Sequence, residues 1–174
     1  MLEKLRAQIV RQGPGLLGKP LKFTPFALQR QVLERVLGWQ FQQALDEGEL
    51  SFLTDRWLKV EVRDVGLAWF VTLRDNRLVV SQHETEDVSF SAEANDLVLI
   101  AARREDPDTL FFQRRLRIEG DTELGLYVKN LMDSIDLDAM PAPLRIGLLR
   151  LADFVEAGLH EGAMHADDRA PTTC

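Results

Sequence analysis

The hydrophobic period of this chain changes at Trp57, and that change limits the fold more than any other feature of the sequence. Before it, apolar residues recur at helical spacing. After it, Leu58, Val60 and Val62 alternate with Lys59, Glu61 and Arg63, the pattern of a strand with one buried face. Ala68 to Arg74 and Leu78 to Ser81 read as two further strands, joined by a tight turn at Asp75-Asn76 that lacks the favoured glycine. These three strands form a meander. Val88 to Ala92 is a fourth strand, with Val88, Phe90 and Ala92 on one face, and Leu116 to Glu119 is a fifth.

Helices flank and interrupt this strand-rich middle. Leu2, Leu5 and Ile9 predict a short amphipathic N-terminal helix, stopped by Gly13-Pro14-Gly15. Thr24 as N-cap and Pro25 at the first helical position open a second helix, expected to run to about Asp46. It carries two apolar stripes: Phe26, Leu33, Leu37, Phe41 and Ala44, and well away from it Leu28, Val32, Val36 and Trp39. One stripe suffices for resting on a sheet, so the second must meet a helix, a partner or a lipid. Another helix spans Ala94 to about Arg104, and Asp106-Pro107-Asp108 restarts a short one. Gly120 turns the chain and Asp121 caps a helix with the stripe Leu124, Val128, Leu131 and Ile135. Beyond Pro141 and Pro143 a last helix extends to about Leu159, with Leu144, Leu148, Leu151, Val155 and Leu159 inward, and Ile146, Leu149 and Phe154 outside that stripe. The segment His160–Cys174 has no apolar periodicity and reads as a disordered tail.

A length of 174 residues suits one domain with a substantial core. Cys174 is the single cysteine, so no intrachain disulfide holds the fold. The first residues are interrupted by Glu3, Lys4, Arg6 and Arg11, which leaves no apolar run of the kind a signal peptide needs. Nor does any stretch approach the roughly 20 apolar residues of a membrane-spanning helix. A cytoplasmic protein is expected, possessing at most peripheral membrane contact. The net charge of −7 argues against nucleic acid as a partner. Residues 1–35 nevertheless hold seven basic groups against two acidic ones, so the net is +5 there and −12 in the remainder. Lys4, Arg6 and Arg11 are the candidate contacts for an anionic membrane surface or an acidic partner; solvated helix faces explain them equally well.

Catalytic chemistry is hard to find. His160 and His165 are five apart and do not share a helical face, and His83 sits in a polar connection beside Glu84 and Glu86. The sequence has no glycine-rich phosphate loop, no Gly-x-Ser-x-Gly elbow and no Cys-x-x-Cys pair. Asp106, Asp108 and Asp121 are explained as helix-start residues. No metal site, cofactor or catalytic residue is expected.

What remains is an excess of apolar positions. Phe90, Leu97, Leu110, Phe111, Tyr127, Leu131 and Met132 are the candidate lipid contacts, although plain core packing would account equally well for most of them. Phe111-Phe112 illustrate the excess, because adjacent residues on a short helix cannot point the same way.

The stretch Asp106-Pro-Asp-Thr-Leu-Phe-Phe-Gln-Arg-Arg-Leu-Arg-Ile-Glu-Gly-Asp-Thr-Glu-Leu-Gly-Leu-Tyr-Val-Lys-Asn130 resembles the sterol carrier protein type-2 domain, whose late strand ends in a Gly-Asp turn into a helix. Val88-Ser-Phe, the helix Leu97–Ala102 and the Asp-Pro restart fit the same pattern, over roughly residues 40–138. Thr24-Pro-Phe-Ala-Leu, Val80-Ser-Gln and Leu151-Ala-Asp-Phe-Val-Glu-Ala-Gly158 extend the resemblance, over about residues 1–159, to the UbiT family of accessory factors of oxygen-independent ubiquinone biosynthesis. The resemblance implies an α/β (α+β) fold: a five-stranded, largely antiparallel sheet covered by helices, with an apolar cavity between the layers. It places a lipid-binding domain over residues 24–159, an amphipathic segment over 1–23 and the tail over 160–174. It further implies ubiquinone or prenylated precursors as ligands and the UbiU–UbiV pair as partners, with a partly protruding tail or a homodimer expected. From the motif only Gly120 and Asp121 carry over, as a structural turn and cap. Three function classes follow: a quinone or prenyl-lipid binding module, a protein-interaction scaffold without lipid, and an enzyme of the same pathway.

Overall fold

The computed structural model describes residues 5–10, 12–14 and 23–167, with side chains described as far as residue 160. Strands β1 (Leu58–Val62), β2 (Leu67–Arg74) and β3 (Arg77–Ser81) form the antiparallel meander. Asp75 and Asn76 join β2 to β3 with φ of 48° and 56°. The type I′ two-residue hairpin turn needs positive φ at both positions, and short polar side chains tolerate it best after glycine. The chain then crosses to the far side of β1. There β4 (Val88–Ala92) pairs with it in parallel, Val60 opposite Phe90, and β5 (Arg117–Gly120) pairs antiparallel with β4. The sheet order is β3-β2-β1-β4-β5. Three of its four pairings are antiparallel, as expected.

One sheet face holds Leu58, Val71, Leu73, Leu78, Val80, Val88, Phe90 and Ala92, all buried. They pack with Ala44 and Leu45 of α3 (Gln42–Asp46), Leu50 and Leu53 of a 3-10 helix (Glu49–Leu53), Leu110 of α5 (Pro107–Phe112) and Leu124 and Val128 of α6 (Thr122–Asp133). The opposite face is polar around β1, where Lys59 reaches Glu61 at 3.1 Å and Glu86 at 4.0 Å. Helix α2 (Phe26–Gln40) lays Phe26, Leu33 and Leu37 on the core and guards the sheet edge. Glu34 Oε1 accepts the Val80 amide of edge strand β3 at 3.0 Å, and Gln29 Oε1 accepts Trp69 Nε1–H at 3.0 Å. An edge amide satisfied in this way is no longer a template for another strand.

Helix α4 (Ala94–Ala101) is shared between two clusters. Ile100 and Leu97 face the sheet, whereas Leu99, Val98 and the following Ala102 face a second cluster. That cluster is closed by Leu148, Leu149, Ala152, Val155 and Leu159 of α7 (Ala142–Asp167) and by Val10 of an N-terminal helical segment, α1, seen at residues 5–10 and 12–14. A Cβ on Gly158 would lie 2.4 Å from Val10 Cγ2, so glycine is what lets α1 cross α7 this closely. Asn95 Nδ2 donates to the Val10 carbonyl at 2.8 Å, and Arg104 reaches Asp153 at 2.6 Å.

Several helix details differ from the sequence reading. Helix α2 begins at Phe26, with Pro25 at its N-cap in extended conformation (ψ 132°), one residue later than expected. It breaks at Phe41 (φ −111°, ψ 22°), and the redirected chain brings both Ala44 and Leu45 into the core. The inward side of α1 is Ala7 and Val10, while Leu5 and Ile9 are exposed; Leu2 lies outside the described residues. Residues 12–14 are also helical, past Gly13. On α7 the inward face is Leu148, Ala152, Val155 and Leu159, with Leu149 joining it, and Leu144 and Leu151 are turned out. Gly158 marks a close approach and Ala152 is fully buried, and small residues carry little weight in a stripe of large ones. Finally, residues 160–167 are helical rather than a disordered tail, because Glu161, Ala163, Met164 and Ala166 are strong helix formers and no proline intervenes. Residues 168–174 lie outside the described residues.

Candidate functional site

Two aspartates fix the α5–α6 region that carries most of the candidate lipid contacts. Asp106 caps α5, its Oδ2 accepting the Thr109 amide at 2.9 Å, with Pro107 at the first helical position. Asp121 caps α6, its Oδ1 accepting the Leu124 amide at 3.0 Å. Gly120 before it has φ 110°, and a Cβ there would sit 2.5 Å from the Asp87 carbonyl oxygen. The Gly-Asp pair is therefore a turn and a cap, as expected. Lys129 of α6 reaches Asp108 of α5 at 2.7 Å, and that carboxylate raises the lysine pKa above its usual range. Asp87 accepts the Trp57 amide at 2.8 Å and the Arg56 guanidinium at 3.0 Å; the amide first, then the guanidinium, holds its pKa below the ordinary carboxylate value. Asp87 thus ties the starts of β1 and β4 together beside Gly120.

The seven candidate side chains divide between interior and rim. Phe90 is 5% exposed and Leu110 0%, both inside the main core. Leu97, Leu131 and Met132 pack partly buried against the same core. Phe111 and Tyr127, at 44% and 42%, stand at the surface on α5 and α6. Phe111 meets Phe112 edge-on with ring centroids 6.0 Å apart, and Tyr127 stacks on Phe52 at 5.1 Å. The space between sheet and helices, where the resemblance implied a cavity, is occupied by Leu50, Leu53, Leu110, Leu116 and Val88, each at most 1% exposed.

The described clefts lie outside those layers. The largest, about 1050 Å³, is open and bordered by Trp39, Gln40 and Phe41 on one side and Asp136, Met140 and Pro141 on the other. None of the seven lines it. Met132 borders a cleft of about 270 Å³ beside Arg103, and Tyr127 one of about 380 Å³ beside Phe52. Of the second stripe of α2, Leu28, Val32 and Trp39 are exposed and Val36 is half-buried among the described residues. Phe112, Leu126 and Leu151 are exposed too, and of these Leu126 was not singled out from sequence. The signal available for Leu126 was its place opposite the stripe of α6.

Lys4 and Arg11 lie outside the described residues, and Arg6 is half-buried and already has an interaction partner. Among the described residues no group of three or more His, Cys, Asp or Glu is placed to hold a metal ion, and no helix is long and apolar enough to cross a membrane.

Residues 35–133 match the model of the SCP-2 sterol transfer family. The ubiquinone biosynthesis accessory factor UbiT of Escherichia coli strain K12 is 67% identical over 159 residues, which is 91% of this chain and 91% of that one; UbiT of Escherichia coli O157:H7 matches equally. Among solved structures, the UbiJ-SCP2 ubiquinone synthesis protein superposes with a TM-score of 0.51 at 20% identity, over 63% of this chain and 97% of that one. This likeness concerns the fold. The chain belongs to the SCP-2 sterol transfer family and, within it, to the family of the ubiquinone biosynthesis accessory factor UbiT.

Proposed function

We propose that the chain is a non-catalytic accessory factor of oxygen-independent ubiquinone biosynthesis that binds ubiquinone or its prenylated precursors. It would do so in the cytoplasm or at the membrane surface and hand them to other enzymes of the pathway, the UbiU–UbiV pair among them. One observation carries this reading: a family of lipid carriers supplies the fold, and in this member large apolar side chains stand at the rim of the core. The ligand's isoprenoid chain would enter at Phe111 and Tyr127 and lie beneath α5 and α6 against Phe90, Leu97, Leu110, Leu131 and Met132. These five side chains are packed, so entry requires α5 and α6 to move off the sheet. Burying a methylene yields about 0.8 kcal/mol, so each five-carbon unit yields roughly 3–4 kcal/mol towards that opening. A long tail protrudes or is covered in a homodimer, and Lys4, Arg6 and Arg11 provide the contact with anionic lipid.

The test is mass spectrometry of an organic extract of the purified full chain. Enrichment of an isoprenoid quinone or precursor over a control protein is expected; an extract with no enriched lipid contradicts the proposal. Phe111→Asp should abolish the enrichment while the protein stays folded, since this side chain is half-exposed. A second reading, a protein-interaction scaffold without lipid, is favoured by the exposed α2 stripe Leu28, Val32 and Trp39. A stable complex with pathway enzymes that is lost in Val32→Asp and contains no lipid would favour it.

A further inference from the structure

A cleft of about 630 Å³ at the other end of the sheet is lined by four arginines, Arg63, Arg114, Arg115 and Arg117, with Glu93, Asn95, Asp96 and Leu159. The chain as a whole carries −7, so this concentration of guanidinium groups runs against its background. Two of the arginines are anchored. Arg115 pairs with Asp96, a carboxylate only 4% exposed, and Arg63 Nη2 donates to the Arg115 carbonyl at 2.8 Å. Their positions follow from the fold. Arg63 directly follows β1, its amide bonded to the Ala92 carbonyl at the end of β4, and Arg117 opens β5.

The remaining donor capacity is unused. Arg63 Nη1 is buried and has no hydrogen-bond partner, and Arg114 and Arg117 form no ion pair among the described residues. A buried guanidinium N–H without an acceptor is costly, and structures normally satisfy it. Asp96 cannot serve, because Arg115 already takes its charge; Glu93 is exposed at the rim. The cleft also opens at the first turn of α4, the positive end of its dipole, where Ala94 already bonds Asp64 and Asn95 and Asp96 follow.

We propose that this cleft binds a phosphate-type oxyanion, free or as the headgroup of an amphiphile. Guanidinium groups from two segments, Arg63 after β1 and Arg114 and Arg117 at the approach to β5, offer more donors than a flat carboxylate accepts and suit a tetrahedral anion with three terminal oxygens. The site does not depend on the isoprenoid reading, since neither Phe111 nor Tyr127 lines the cleft and it recognises charge rather than apolar surface.

The test titrates the full chain with inorganic phosphate and diphosphate at constant ionic strength. A second arm floats it with phosphatidylcholine vesicles with and without phosphatidylglycerol. Arg117→Gln, at an exposed position, and Arg63→Met, at the buried donor, should each weaken binding about tenfold, the loss of one charge-assisted contact. Arg77→Gln, on edge strand β3, should leave it unchanged. Binding of the free anions with this pattern supports a soluble phosphate, and binding of only the anionic vesicles with this pattern supports a lipid headgroup. Failure to bind in both arms, or equal weakening by Arg77→Gln, overturns the proposal. Because Arg117 is exposed, its variant answers the question even if Arg63→Met unfolds.

Discussion

The two hydrophobic clusters of this protein are closed by different means. Between sheet and helices, large side chains such as Leu50, Leu53, Leu110 and Leu116 are almost wholly buried, and closure is by volume. Where α1 and α7 meet α4, closure depends on small residues, Ala102, Ala152 and Gly158, together with polar pins from Asn95 and Arg104. There the large residues Leu144, Leu151 and Phe154 are left outside. The first cluster defines the fold. The second attaches further helices to it and leaves apolar surface available to something else.

If this difference holds, substitutions in the two clusters should separate. Leu110→Ala, at a site with no exposed surface, should cost about 3–4 kcal/mol and lower the denaturation midpoint of the whole chain. A loss below about 1 kcal/mol would mean that the main cluster is looser than described. Gly120→Ala combines a positive φ with a Cβ 2.5 Å from a carbonyl oxygen, and about 2–3 kcal/mol is expected, again across the whole chain. Gly158→Ala should cost about 1–2 kcal/mol and act locally, speeding amide exchange at residues 5–14 without altering the sheet. Val10→Ala in the same chain should restore part of the loss, because Val10 is the atom group that the new Cβ would strike.

Comparing the pH dependence of stability with and without Asp87 probes the sheet side. The folded-state pKa of Asp87 is lowered, so its contribution is fully present above the unfolded value, 3.8, and fades as pH falls through the lower folded value. Asp87→Asn should remove about 1 kcal/mol near neutral pH and flatten the acid limb of stability against pH. An unchanged acid limb would show that other carboxylates dominate it. Arg104→Ala should have the smallest effect, below about 1 kcal/mol, since its pairs with Asp153 and Glu156 are exposed.

Most of the sheet was readable in the sequence because alternation over β1, β3 and β4 reports one buried face directly. Asp106 and Asp121 were readable as caps for a similar reason: the signal is local. The parallel pairing of β1 with β4 was not, since alternation is the same whichever way the neighbour runs. The inward faces of α1 and α7 were misjudged because large apolar residues dominate a periodicity, while Ala7, Ala152 and Gly158 determine where backbones approach. The second apolar stripe of α2 was legible, but whether sheet and helices enclose free space was not. Filling is a property of how side chains of the whole core interlock. The arginine cleft escaped because Arg63 joins Arg114, Arg115 and Arg117 only through the β1–β4–β5 pairing.

The proposed function requires the filled sheet-side core to open beneath α5 and α6 for an isoprenoid chain. Amide hydrogen exchange of the full protein, with and without a prenylated quinone, tests it most directly. Altered exchange concentrated in residues 107–133, with the sheet amides of β1 and β2 unchanged, is the expected result. Exchange unchanged across that segment, or protection confined to the outer stripe of α2, would contradict it.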